Sequence, residues 1–191
     1  VTGMTFMKKI SLLIGDPARA GDSFGALGGD ATWPDKKIYF RYAKEFKRKS
    51  YNFVASHFSK LYKVVKPHFI LLEDNFEKPQ VSQAFRKYNV PVKWVHTSAN
   101  LNENTRRKYT SLDKPFAVEW LAAQKKDKRI FYGEGSDMQI LIDQTVQIVP
   151  FMTQNGGTTY RAQRGRHDDL FSCSLIFANF VRLWWEELDN S

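Results

Sequence analysis

Three groups of carboxylates in this 191-residue chain stand where they could do chemistry. Asp16 follows the apolar run KKISLLIG, Glu73 and Asp74 close the run HFILLEDN, and Asp168 and Asp169 open GRHDDLFSCSLIFANF. Adjacent carboxylates repel and are costly to desolvate, so the pair before that last apolar run needs compensation. A helix start is one source: free N–H groups and the helix dipole accommodate one aspartate well and the second adequately. A metal site is the other. If the three groups meet, their oxygen-only donors select hard ions, Mg²⁺ or Mn²⁺, over zinc. Two such ions ~3.5–4 Å apart can activate a water and stabilise the leaving oxygen of a phosphodiester. Each group also has a plain reading: Asp16 as a turn cap, and Glu73-Asp74 as solvated residues leaving a strand.

The elements that must bring these groups together follow from periodicity and breakers. Lys8–Gly15 has strand length and ends at Asp16-Pro17, because a residue before proline is pushed to extended geometry. SFGALGGDATWPDKKIYFRYAKEF reads as two strands joined around Trp33-Pro34-Asp35, giving a three-stranded antiparallel meander. SYNFVASHFSKLYKVVK has Phe53, Phe58, Leu61, Val64 and Val65 close to helical spacing, and Pro67 stops it. His68–Asn75 is then a strand reached by a crossover, hence parallel. Lys78–Tyr88 is a weaker helix, VPVKWVHTS a strand, and Ala99–Lys114 a polar, basic loop. Phe116–Lys125 and Ser136–Val146 read as helices, and IVPFMTQNGGTTYRAQ as a hairpin turning at Gly156-Gly157. The last helix follows Asp168. It is apolar except for a narrow stripe at Ser172, Asn179, Arg182 and Glu186, so it should lie mostly buried on the sheet, with Trp184 and Trp185 as packing residues.

Composition narrows the partners. Lys and Arg outnumber Asp and Glu by 29 to 20, a net charge of +9, which favours polyanions. Between Lys36 and Lys66 stand ten basic residues and one acid, Glu45. Lys47, Arg48 and Lys49, then Arg106, Arg107 and Lys108, then Arg161, Arg164 and Arg166 are the expected nucleic-acid contacts. Lys125, Lys126, Lys128 and Arg129 form a further cluster. The single cysteine, Cys173, excludes a disulfide framework within the chain and reads as a small core residue. The opening VTGMTFMKKISLLIG lacks the ordered regions of a signal peptide, and no apolar run approaches the ~20 residues of a membrane span. A reducing, intracellular setting is expected.

The pieces IGDPARAGDSFGAL, FILLEDN and GRHDDLFSCSLIFA, in this order and at roughly this spacing, resemble the nuclease domain of the terminase large subunit. That protein is the DNA-packaging motor of tailed bacteriophages and herpesviruses. The resemblance runs from Lys8 to the region of Glu187. It implies a ribonuclease H-like α/β fold, in which a mixed sheet (an antiparallel meander followed by parallel strands) is flanked by helices. It implies that Asp16, Glu73 and Asp168 are the catalytic acids and metal ligands, with Asp169 contributing beside them. Side-chain parity on the strand groups Glu73 with Phe69 and Leu71, and Asp74 with Ile70 and Leu72; both sets are apolar, and only the resemblance favours Glu73. His167 is expected in a structural or outer-shell role.

The activity implied is a metal-dependent endonuclease, with two Mg²⁺ or Mn²⁺ ions, cutting double-stranded viral DNA concatemers at the start and end of packaging. The small terminase subunit and the portal are implied as partners, and the host cytoplasm as the location. Full-length members carry an N-terminal ATPase with a phosphate-binding loop, and this chain has no GxxxxGKS/T. A single nuclease domain over residues 1–191, the C-terminal part of a longer ATPase–nuclease protein, is therefore expected. Two other readings compete. A junction resolvase or transposase core would share the acids and differ in substrate. A non-catalytic DNA-binding module would keep the basic clusters without needing the acids.

Overall fold

Strand β1 (Lys8–Pro17) is buried over its last eight residues, as a central strand covered on both faces must be. The computed structural model in which it is seen describes residues 7–17, 23–75, 77–98, 101–152, 158–162 and 168–191, without the side chains of 151, 158, 159, 161 and 162. Strands β2 (Ser23–Trp33) and β3 (Ile38–Lys47) complete the antiparallel meander, with a cis Trp33–Pro34 bond at the turn between them. Helix α1 (Tyr51–Val65) begins where the Ser50 hydroxyl accepts the Phe53 N–H, and ends at left-handed Lys66 before Pro67. The crossover returns the chain as β4 (Phe69–Glu73), parallel to β1. Helix α2 (Lys78–Lys87) then leads to β5 (Lys93–Ser98), parallel to β4.

The segment expected as a plain loop departs from that reading. It holds a short helix, α3 (Glu103–Arg106), and an edge strand, β6 (Ser111–Asp113), parallel to β5. Three residues are too few for a periodic signal, so pairing with β5 rather than local pattern makes the strand. The same holds for β7 (Ile130–Tyr132), an unexpected strand that joins β3 in parallel. Between them runs α4 (Lys114–Lys126), and after β7 comes α5 (Ser136–Gln147). The hairpin strands β8 (Ile148–Met152) and β9 (Thr158–Ala162) pair antiparallel as expected, while the Gly156-Gly157 turn lies outside the described residues. The sheet order is β6-β5-β4-β1-β2-β3-β7, in a mixed α/β arrangement.

Each sheet face carries its own core. Helix α6 (Asp169–Asp189) packs on one face against Ile10, Leu12 and Ile14 of β1, Leu27 of β2 and Leu71 of β4, with α4 and α5 beside it. Helices α1 and α2 cover Leu13, Phe24, Ile70 and Leu72 on the other. The polar stripe of α6 serves the packing. Asn179 donates to the carbonyl of Ser111 at 3.0 Å, and Arg182 to that of Arg106 at 2.9 Å, so the stripe anchors the α3–β6 segment. Trp185 is buried and donates to the Thr32 carbonyl at 2.9 Å, a packing role as expected. Among the described residues, no helix is long and apolar enough to cross a membrane.

Candidate active site

The alternation of strands decides which carboxylates meet. On β1, Asp16 shares the face of Ile10, Leu12 and Ile14, the face on which α6 lies. On β4, Leu71 belongs to the same core, so Glu73 projects toward α6 as well. The parallel register ends at Gly15 opposite Leu72, and one step further brings Asp16 beside Glu73. The two carboxyls come close enough for the Glu73 side chain to act on Asp16 both by its charge and as a hydrogen-bonding neighbour. Asp74, one residue on, lies past the strand end and pairs with Lys78 at 2.6 Å. Asn75 ties the two strand ends together, donating to the Pro17 carbonyl and accepting from the Glu77 N–H at 3.0 Å.

Helix α6 supplies the third group. Asp16 faces Gly25 across the β1–β2 ladder, and a Cβ on Gly25 would stand 2.8 Å from the Asp169 backbone. Because Gly25 has none, the helix start settles against the strand beside Asp16. Asp169 is buried and accepts from the Ser23 hydroxyl, while Asp168 is half-buried, 3.5 Å from the Lys114 ammonium. The helix does start here, but the Asp168 side chain makes no capping hydrogen bond.

Electrostatically the cluster is costly. Asp16 is buried, and burial is the largest cause holding its carboxyl well above the usual carboxylate range. The charge of Glu73, its hydrogen bonding to Asp16, and the charges of Asp169 and Asp168 push the same way. Beneath lies Cys173, whose thiol donates to the Gly25 carbonyl at 3.4 Å. Burial first, then the charges of Asp16, Asp169 and Glu73, push that thiol up, so it stays protonated and unreactive.

As placed, the described residues contain no group of three His, Cys, Asp or Glu side chains closed around one point as a ligand shell. Asp16 and Glu73 hold each other, Asp169 is engaged by Ser23 and Asp168 by Lys114. The donor chemistry nonetheless fits a divalent cation. The groups are oxygen ligands only, carry more negative charge than Lys114 offsets, and surround a buried aspartate that is costly to ionise without a cation.

The basic groups are scattered. Lys47 faces Ser23 across the β2–β3 ladder, so the turn holding Lys47, Arg48 and Lys49 sits at the carboxylate end of the sheet. Lys47 lies 3.1 Å from Glu45, Arg48 adopts a left-handed backbone, and Lys49 rests over the Phe53 ring. Arg106 is committed elsewhere: its Nε donates to buried Asp113 at 2.7 Å, and its guanidinium lies over Phe116. It adjoins Arg182, which stands ~20 Å along α6 from Asp169 at ~1.5 Å per residue. Arg107 pairs with Glu103 at 2.7 Å, while Lys108 is exposed. Arg161 falls on β9 with its side chain outside the description, and Arg164, Arg166 and His167 lie outside the described residues altogether.

Ser23, Lys114 and Gly25 were not among the residues singled out from sequence. Gly25 and Ser23 share the parity of Leu27, which would have pointed them toward α6. Lys114 carries no local signal, since α4 brings it to Asp168 across fifty-four residues.

No protein-family model and no curated protein matches the chain. Its shape is similar to solved nucleases of viral origin. The large terminase nuclease from thermophilic phage G20c with bound magnesium superposes with a TM-score of 0.67 at 10% identity, covering 90% of this chain and 81% of that one. A mutant nuclease domain of the large terminase subunit gp2 of bacterial virus Sf6 with manganese gives 0.59 at 13% identity, covering 89% and 88%. The same G20c nuclease with bound cobalt gives 0.63 at 10%, covering 90% and 81%. At such identities the likeness shows the fold, and the expected ribonuclease H-like architecture is the one found.

Proposed function

We propose that this chain is a divalent-metal-dependent endodeoxyribonuclease that cuts double-stranded viral DNA concatemers during genome packaging. One observation carries the reading: a buried aspartate at a strand end feels the charges of three further carboxylates, with Lys114 as the cation beside Asp168 among the described residues. That arrangement is unfavourable for stability alone and suited to hard cations. The shared architecture with terminase nuclease structures that hold magnesium, manganese or cobalt supports the same reading.

In this mechanism Asp16, Glu73, Asp168 and Asp169 would hold two Mg²⁺ or Mn²⁺ ions. When bound, the ions supply an activated water and stabilisation of the leaving oxygen. Asp16 and Glu73, fixed by adjacent strands, set the ligand geometry with little freedom to relax. Ser23 orients the Asp169 carboxylate through its hydroxyl. Lys114, at the edge beside Asp168, offers positive charge to a phosphate entering the site. Lys47, Arg48 and Lys49 at the same sheet end, with Lys108, Arg161, Arg164 and Arg166, hold the duplex backbone without reading sequence. By this reading the chain is the nuclease domain of a longer ATPase–nuclease protein working with a small terminase subunit and a portal in the host cytoplasm. Incubation with supercoiled plasmid tests it: nicked and linear products should form in Mg²⁺ and Mn²⁺ and not in EDTA.

A further inference from the structure

On the sheet face opposite α6, at the edge that α1 and α2 leave uncovered among the described residues, aromatic and basic side chains gather. Tyr39 of β3 and Phe131 of β7 are register partners, and their rings stack with centroids 5.1 Å apart and planes 19° from parallel. The Arg41 guanidinium lies over the Tyr39 ring at 5.1 Å. Neither ring belongs to either hydrophobic core, and Phe131, on the outermost strand, is 43% exposed.

A packing accident would leave the arginine loose, and here it is fixed. Gly28 pairs with Tyr42 and Gly29 with Phe40, so Arg41 is the extra residue of a β-bulge. Its Nε donates to Asp30 at 2.5 Å, and buried Asp30 also accepts from the Ser11 hydroxyl at 2.6 Å. Lys9 adds a second cation 3.6 Å from the same carboxylate. Both cationic side chains remain more than half exposed, at 57% for Lys9 and 62% for Arg41.

An exposed ring stacked on a half-buried one and flanked by cations matches the chemistry of unpaired nucleotides, whose bases stack on aromatic faces while their phosphates meet positive charge. Duplex DNA hides its base faces in its own stack and gains little from such a surface. We propose that Phe131, Tyr39, Arg41 and Lys9 form a binding site for single-stranded DNA, with bases stacking on Phe131 and phosphates held by Arg41 and Lys9. The site is distinct from the carboxylates. It lies on the opposite face, and Asp30 is ~17 Å along β2 from Gly25, the partner of Asp16, at ~3.4 Å per residue. It stands whether or not the carboxylates cleave DNA.

The test is fluorescence anisotropy in EDTA with the whole chain, a labelled oligothymidylate and a labelled duplex of unrelated sequence. Phe131→Ala should weaken oligothymidylate binding by about five-fold or more and leave duplex binding unchanged. Phe131→Trp should restore or exceed wild-type affinity. Phe131→Leu keeps apolar volume without a π face, so it should behave like the alanine variant and serves if that variant fails to fold. Wild-type protein that does not bind oligothymidylate, unaltered binding in the folded alanine or leucine variant, or an equal loss for duplex would each overturn the proposal.

Discussion

The backbone of Asp169 rests directly on Gly25: a methyl group at that glycine would stand 2.8 Å from both its carbonyl carbon and its oxygen. Since Gly25 is also the ladder partner of Asp16, this contact sets how near α6 begins to the buried aspartate. Gly25→Ala should therefore displace the helix start, at a cost of about 1–3 kcal/mol in stability, and abolish most plasmid nicking. Gly28→Ala on the same strand is the control. Its Cβ would meet the Tyr42 side chain at 3.4 Å and should be tolerated in both thermal unfolding and cleavage.

Glu73 and Asp74 are neighbours with opposite surroundings, one beside buried Asp16 and the other paired with Lys78. Glu73→Gln should lose nearly all cleavage in either metal, and Asp74→Asn should keep most of it. Nicking rates measured side by side decide this; a dead Asp74→Asn enzyme beside an active Glu73→Gln enzyme would move the site to the other carboxylate.

Asp30 gives a pH signature unconnected with metal. Burial alone would raise its carboxyl, but hydrogen bonds from Ser11 and Arg41 and the charges of Lys9 and Arg41 outweigh it and hold the group below its ordinary value. The ionised form is favoured by the native state, so this stability is present above the unfolded value of about 3.9 and is lost as pH falls through the lower native one. Asp30→Asn should be less stable than wild type at neutral pH by about 1–2 kcal/mol. Denaturant melts taken at decreasing pH should show the gap closing below about pH 4.

Arg106 and Lys108 are close in sequence and differ in employment. Arg106→Gln removes the charged partner of buried Asp113 and should lower the unfolding temperature. Lys108→Gln should leave stability alone and reduce the slope of log affinity against log salt for duplex DNA by about 0.9. Titrations at several salt concentrations, paired with thermal melts, separate the two.

Much of the fold was legible because its long elements obey simple periods. The buried run of β1, the Trp33-Pro34 turn and the apolar face of α6 each announce themselves within a few residues. The edge strands β6 and β7 do not, since three residues acquire strand character only by pairing with a neighbour. The residues of the carboxylate cluster divide the same way. Asp16, Glu73, Asp168 and Asp169 stand at element ends, where local sequence marks them. Choosing Glu73 over Asp74 on geometry needs the knowledge that Leu71 faces α6, which two equally apolar strand faces cannot reveal. Ser23 and Lys114 reach the cluster only through tertiary contacts, and Arg106 is diverted to Asp113 by a contact of the same kind.

Asp16 is held in an unfavourable carboxylate cluster, a cost that the proposed metal-dependent cleavage explains. Its raised native pKa means that ionising it costs the folded state, a cost that sets in as pH rises above the unfolded value of about 3.9. The decisive measurement compares wild type with Asp16→Asn in two assays, plasmid nicking in Mg²⁺ or Mn²⁺ and thermal unfolding in EDTA at neutral pH. The variant should be inactive in both metals and unfold at a higher temperature than wild type. A variant that nicks plasmid at the wild-type rate, or one that is inactive only because it is less stable, would contradict the proposed role of Asp16.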